Sequence, residues 1–336
     1  PRAERPFYFE FSTNEKVATE VAFGAAVNGH LSTVFFKSVG LNVASDTLVQ
    51  LSYIHILGGM VLVLGDDPGA NSSQNEQDNR HFAHMSYTPV LEPSNPREVY
   101  FFYKEAAKLS RKCHMPVILR LTTHVCHAKE KVAFSAFTPF QPDDTPRFDV
   151  AGGPQIPLTE EALSKKREAL RKLREVGRIA NKSNLNQLVD NHNSRRGIIT
   201  MGLPYLSLMD VLEKASGKPD VLKLGFVHPI PRKIVEAFVK SHEEVKILEE
   251  LDDVLEKEVK SLAYDAGLNA RILGKMDPED WIGEYTADKV QDVLNSTWPD
   301  MLEAKHPAAV LPEVVLARPP QMCPGCGHRS AFHAIK

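Results

Sequence analysis

Three stretches of this chain carry residue types able to do chemistry. Glu15, in Asn14-Glu15, stands where a helix should begin, three residues after Ser12. That is the spacing of a capping box, in which the glutamate reaches back to the Ser12 backbone N–H. On spacing alone that capping role is favoured over an acid–base one. The second stretch is the sixteen-residue polar loop from Gly65-Asp66-Asp67-Pro68-Gly69 through Ser72-Ser73-Gln74-Asn75-Glu76-Gln77-Asp78 to Arg80. It exceeds the usual connection length, which favours function or disorder. It also follows an apolar strand, at whose carboxyl end ligands of open α/β sheets bind. The third is Cys323-Pro324-Gly325-Cys326-Gly327-His328. A Cys-x-x-Cys beside a histidine suits half of a zinc site, a redox pair, or two ligands of an iron–sulfur cluster. The other two cysteines, Cys113 and Cys126, fall in a different predicted domain, so a half-site is expected. Thr122-Thr123-His124-Val125-Cys126-His127 could also hold a metal, although such residues at a strand end are usually plain loop polar groups.

Alternating periods show which elements must position these groups. Val17 and Val21, with the small Ala18, Ala22 and Ala25, follow Glu15 at helical spacing and predict a helix with one tightly packing face. Residues 31–36 and 61–64 read as strands, the second buried on both sides, with a helix over 43–56 between them. Strand 90–91, a helix opening at Pro96 and running to Cys113, and strand 117–119 follow. Pro6-Phe7-Tyr8-Phe9 is strand-like. Prolines and glycines from Pro139 to Pro157 mark a linker, which leads to a charged helix with Leu163, Leu170, Leu173 and Ile179 on one face. A second alternation places strands at 197–200, 221–224 and 245–248 and helices at 206–215, 233–239 and 254–264. The fold class is therefore α/β, with two doubly wound, mostly parallel-sheet domains. The last residues, from Ser330, read as a helix just beginning, and both ends of the chain look cut.

The whole composition bounds the function. With 336 residues, 43% hydrophobic and 25% charged, the chain suffices for at least two cores. A formal charge of −3 gives no general reason to bind nucleic acid or anionic lipid. The basic run Lys165-Lys166-Arg167 is interleaved with glutamates and reads as a solvated helix face. No apolar run nears the roughly 18 residues that span a bilayer. Four cysteines make no disulfide framework, and a reducing cytoplasm is the expected location.

Four motifs in order make the chain resemble the large subunit of indolepyruvate:ferredoxin oxidoreductase. They are Asn14-Glu15-Lys16-Val17-Ala18, Val39-Gly40-Leu41-Asn42-Val43-Ala44-Ser45-Asp46, the Asp66–Asp78 stretch, and Arg318-Pro319-Pro320 with Cys323-Pro324-Gly325-Cys326. Residues 225–231 and Ile247-Leu248-Glu249-Glu250 are similar to that subunit's second domain. The resemblance implies a thiamine-diphosphate pyrimidine-binding domain at 1–128, truncated at its start, and a linker with a charged helix at 129–195. It implies a transketolase C-terminal-like domain at 196–275, a connecting segment at 276–317, and the start of a diphosphate-binding domain at 318–336.

The resemblance makes Glu15 the catalytic and cofactor-binding glutamate. Thiamine diphosphate must lose its C2 proton to become a nucleophile, and a carboxylate on N1′ of its aminopyrimidine favours the 4′-imino tautomer that takes that proton. It further implies oxidative decarboxylation of aryl 2-oxo acids such as indolepyruvate, with coenzyme A taking the acyl group and ferredoxin the electrons. Asn42, Ser72, Ser73, Gln74, Asn75, Glu76, Gln77 and Arg80 fall on the substrate side. Gly325, Gly327 and His328 fall on the cofactor side, and Cys323 and Cys326 are partial iron–sulfur ligands. Implied cofactors are thiamine diphosphate, Mg²⁺ and [4Fe–4S] clusters, held mostly by segments outside this chain, so the chain alone is expected to be inactive. Implied partners are the small subunit of the same oxidoreductase, ferredoxin, coenzyme A and the oxo acid, with neither nucleic acid nor membrane. Asn71 and Ser38 stand where histidine is common, His124 where arginine is, and Gly327 where proline is, which puts the preferred aryl group in question. Rival readings are a related 2-oxo acid:ferredoxin oxidoreductase with another substrate and a non-catalytic assembly module of the same fold.

Overall fold

The computed structural model describes residues 8–134, 158–302 and 327–335. Helix α1 (Glu15–Val27) leads to β1 (Ser32–Lys37), α2 (Gly40–Leu51), β2 (Met60–Asp66), α3 (Arg80–Ser86), β3 (Val90–Leu91), α4 (Pro96–Cys113), β4 (Val117–Thr122) and α5 (Thr123–His127). Then come α6 (Thr159–Ala180), β5 (Gln187–Val189), β6 (Arg196–Thr200), α7 (Gly202–Leu212), β7 (Asp220–Lys223), β8 (Phe226–His228), α8 (Arg232–Lys240), β9 (Glu244–Leu248), α9 (Val254–Asp265), β10 (Arg271–Leu273) and α10 (Ala287–Thr297). Helix α11 (Gly327–Ile335) belongs to a separate unit, residues 303–336, and begins three residues before the predicted start at Ser330.

Two five-stranded sheets form, in the orders β1-β2-β4-β3-β8 and β10-β9-β6-β7-β5. Strands β1, β2 and β4 are parallel neighbours, with Phe35 opposite Val63 and Val63 opposite Leu119, as the sequence predicts. Strands β6, β7 and β9 are likewise parallel. The apolar runs of β2 and β4 are almost wholly buried, as expected for strands covered on both faces.

The sheets are less separate than two sequence-defined domains imply. Strand β8, from the second alternation, crosses over and pairs antiparallel with β3 at the edge of the first sheet. One continuous core contains Leu41, Leu48 and Leu62 of the first sheet's layers together with Ile199, Leu222 and Ile247 of the second's. The far face of the first sheet packs on α4 and α6, through Phe102, Ala106, Val176 and Ala180. The helix read as part of a linker thus belongs to that core. Its buried positions are Ala169, Lys172, Val176 and Ala180 rather than the predicted leucine stripe, and Leu163 is exposed. Ile179 of the predicted stripe is partly buried against the same core. Residues 276–302, read as part of a connecting segment, instead carry α10, whose Val290, Val293 and Leu294 cover the second sheet with Trp298.

Local corrections follow from capping and exposure. Tyr8 and Phe9 lie in no strand. Helix α2 opens at Gly40, before the predicted 43, because Gly40 and Leu41 are buried against the sheet. In α1 the packed positions are Thr19, Ala22 and Ala26, while Val17 and Val21 face outward. No helix among the described residues is long and apolar enough to cross a membrane.

Candidate active site

The amino-terminal turn of α1 frees Glu15 from a capping role. Asn14 is the N-cap: it is extended, and its Oδ1 accepts from the Val17 N–H at 3.0 Å. Ser12, the predicted cap, instead donates to Glu10 at 2.8 Å. Asn14 prevails because it directly precedes the first helical residue, where a short polar side chain reaches the N3 N–H. Glu15 therefore opens the helix as a half-buried residue. Its backbone carbonyl accepts from the Thr19 hydroxyl at 2.7 Å. Its side chain lies over Gly40, the first residue of α2. A Cβ placed on Gly40 would stand 2.7 Å from Glu15 Cγ and 3.1 Å from its Oε1. Only a hydrogen at residue 40 lets the carboxylate settle there.

The loop after β2 meets the same turn of α2. Asn42 and Gln77 form a reciprocal amide pair: Asn42 Nδ2 donates to Gln77 Oε1 at 2.9 Å, and Gln77 Nε2 donates to Asn42 Oδ1 at 2.8 Å. Gln77 also donates to Asn79 Oδ1 at 2.7 Å, and Asn75 donates to Gln77 at 3.1 Å. Ser72 and Ser73 collar Asp67, through the Ser72 N–H at 2.9 Å and the Ser73 hydroxyl at 2.7 Å, and Thr123 adds its hydroxyl at 2.7 Å. Burial alone would raise the Asp67 pKa, but these donors and Lys37 outweigh it and hold the carboxylate well below its usual range. Lys37 also reaches the Ser72 hydroxyl, at 2.7 Å. Gln74 is exposed. The loop is thus ordered by its own side chains at the carboxyl ends of β1, β2 and β4.

Two of the predicted substrate-side residues, Glu76 and Arg80, instead tether the loop to other elements. Glu76 accepts from the Gly69 N–H at 2.8 Å and the Gly283 N–H at 2.6 Å. Arg80 is 1% exposed. Its Nε donates to Asp78 at 2.9 Å, its Nη1 to Glu249 at 2.6 Å, and its Nη2 to the carbonyls of Glu250 and Asp252 at 2.9 Å. Arg80 ties the loop to the end of β9 and lies away from any open face.

Sequence reasoning missed a neighbouring buried web. Arg120 of β4 donates to Asp66 at 2.7 Å and to Glu92 at 2.6 Å. Asp66 also binds the Asn79 amide. Glu250, 3% exposed, accepts from the Tyr285 N–H at 2.9 Å. Burial pushes its pKa up to about 7 against that hydrogen bond and the nearby Arg120. The available signal was Arg120 itself, a charge inside the otherwise apolar Val117-Ile118-Leu119-Arg120-Leu121.

The remaining candidates divide. Gly325, Cys323 and Cys326 lie outside the described residues, and Gly327 opens α11. His328 follows in that helix. His124, Cys126 and His127 are exposed and form no convergent ligand set among the described residues. A cleft of about 520 Å³ along α4, lined by Phe101, Phe102 and Leu185, contains none of the candidate residues.

The sequence that carries Glu15 and Gly40 is similar to that of known subunits. Indolepyruvate oxidoreductase subunit IorA of Methanothermobacter marburgensis is 39% identical over 335 residues, which cover 98% of this chain and 53% of that subunit. Over 98% of its length the chain is similar to IorA subunits. The IorA of Archaeoglobus fulgidus is 36% identical over 348 residues, 100% of this chain and 54% of the relative. The chain therefore spans about half the length of the curated relatives it matches. No protein-family model matches it. Its fold is similar to 2-oxoglutarate:ferredoxin oxidoreductase from Magnetococcus marinus, solved with 2-oxoglutarate, coenzyme A and succinyl-CoA bound. That likeness has a TM-score of 0.62 at 13% identity, over 86% of this chain and 56% of the other. A split-gene transketolase, an inactive beta4 tetramer, gives 0.54 at 14% identity, over 87% and 84%. Both likenesses concern the fold alone.

Proposed function

We propose that residues 8–302 supply the aminopyrimidine half of a thiamine-diphosphate site. The site would lie in an oxidoreductase that decarboxylates aryl 2-oxo acids with coenzyme A and ferredoxin. One observation carries this reading: Glu15, released from capping by Asn14, rests against bare Gly40 at the carboxyl ends of the first sheet. The residues suit the group, since a Cβ at Gly40 would fill the space where the carboxylate lies. Elsewhere on the first sheet's layers Phe9, Phe11, Phe35, Val17 and Val21 are exposed apolar surface of the kind a partner covers. The similarity to IorA subunits supports the substrate class.

When bound, thiamine diphosphate supplies a carbon nucleophile for the oxo acid. The chain's own part is positional and protonic. Glu15 holds a proton at N1′ of the aminopyrimidine, and Gly40 fixes the direction of that carboxylate. Asn42 and Gln77 lock each other at the start of α2 and would present a fixed amide pair to whatever binds beside Glu15. The Asp67 collar keeps Ser72 and Ser73 at the rim, where the oxo acid or coenzyme A would approach.

The test is Glu15→Gln in the complete enzyme complex, assayed with indolepyruvate, coenzyme A and ferredoxin. Turnover should fall at least ~100-fold with folding unchanged. Near-normal turnover would remove Glu15 from the mechanism. Parallel assays with phenylpyruvate and pyruvate separate the aryl reading from another oxo acid.

A further inference from the structure

Away from Glu15, three elements bring two imidazoles and a carboxylate together. His84 lies in the last turn of α3, His228 ends β8, and Glu258 projects from α9. One ligand atom from each lies within 4.8 Å of the others. His84 Nε2 is 3.3 Å and His228 Nδ1 3.6 Å from the same oxygen, Glu258 Oε1. The two rings lie 4.0 Å apart at 39°. Neither approach has hydrogen-bond geometry: His84 Nε2 and both ring nitrogens of His228 are buried without a partner. The His228 side chain is only 9% exposed. An unsatisfied buried polar group costs about 1–3 kcal/mol, so two such rings side by side call for a ligand they share.

We propose that His84, His228 and Glu258 bind a divalent transition-metal ion of the zinc class, with water as a fourth ligand. Tetrahedral zinc holds nitrogen and oxygen ligands at about 2.0–2.1 Å, which sets neighbouring ligand atoms about 3.3–3.4 Å apart. The 3.3 Å approach of His84 to Glu258 Oε1 fits that edge, and the 3.6 Å approach of His228 is slightly longer. Two imidazoles with one carboxylate favour zinc, cobalt or nickel over magnesium. Burial and the neighbouring His228 lower the His84 pKa to about 4, which keeps its ring unprotonated, as ligation requires. Side-chain exposures of 32% at His84 and 24% at Glu258 leave a path for entry. The ion clasps α3 to α9 across β8, and so anchors the far end of the loop that carries Ser72 to Gln77.

Metal counting on the full chain tests this. A thiolate pair also takes zinc, so Cys323→Ser and Cys326→Ser form the background. The protein is stripped with chelator, given Zn²⁺, desalted and analysed for bound metal. One equivalent is expected in that background, lost on His84→Gln or Glu258→Gln while the circular dichroism is retained. No bound zinc in the background, or an undiminished equivalent in both folded variants, overturns the proposal. Cobalt serves should either variant misfold. In the unaltered background Co²⁺ should give the visible bands of a four-coordinate site without sulfur charge transfer, and a six-coordinate spectrum overturns the proposal.

Discussion

A single hydrogen atom at Gly40 decides where the Glu15 carboxylate lies. Gly40→Ala should be tolerated by the helix, since alanine favours helix interiors. Its methyl group would, however, stand 2.7 Å from Glu15 Cγ and 3.1 Å from Phe36 Cβ. Displacement by about 1 Å can cost about 100-fold in rate, so the complete complex carrying Gly40→Ala should lose turnover on that scale with little change in melting temperature. Wild-type turnover would mean that the carboxylate position is not critical. Glu250 gives a second prediction at this scale. Its folded pKa of about 7 exceeds its ordinary 4.5. The associated stability is therefore complete below about pH 4.5 and is lost as pH rises through 7, at a cost of about 3 kcal/mol. Glu250→Gln keeps the acceptor for the Tyr285 N–H. It should exceed wild type by roughly that amount at pH 8.5 and by under about 1 kcal/mol at pH 5 in urea titrations. An equal gap at both pH values would exclude Glu250 as the cause. At this scale the sequence was readable only in part. Spacing from Ser12 suggested a capping box, but Asn14 lies nearer to the free N–H groups and takes that role. Glu15 stood out through its motif neighbours, whereas nothing in the bare sequence linked it to Gly40.

Elements with strong boundary chemistry were legible. Asn95 caps α4, Pro96 opens it, and His114 closes it in the left-handed region, so its limits match the sequence reading. Strand β8 is three residues long and shows no usable periodicity. Its place depends on an edge supplied by β3, far away in sequence. Helix α10 did carry a signal, apolar Val290, Val293 and Leu294 behind the Thr286 cap, which a reading centred on strand–helix alternation passed over. The polar loop after β2 could be located but not oriented, because whether Arg80 points outward depends on Glu249 and the carbonyls beyond β9. Arg80→Ala would leave Asp78 and Glu249 buried without their counterion. We expect a loss of about 3–5 kcal/mol in denaturant titrations, with proteolysis of the loop as an early symptom. A loss under 1 kcal/mol would mean that solvent reaches those carboxylates.

At the scale of the molecule, the shared core and the β3–β8 pairing join what alternation along the chain separates. Residues 8–302 should unfold in one transition, with calorimetric and van't Hoff enthalpies equal for that unit. Two resolved transitions, one for each sheet, would contradict the continuous core. The crossover also bears on how the protein is made. Strand β3 ends at Leu91, and its antiparallel partner reaches only to His228. During synthesis at about 5–20 residues per second, the open edge of β3 waits on the order of ten seconds for its cover. An uncovered strand edge is a template for pairing with another chain. Nascent chains on crowded polysomes are thus most exposed to mispairing in this interval. Slowing translation between codons 92 and 226 should lower soluble yield more than slowing it after codon 228, a difference that pulse-chase labelling of synonymous variants would measure.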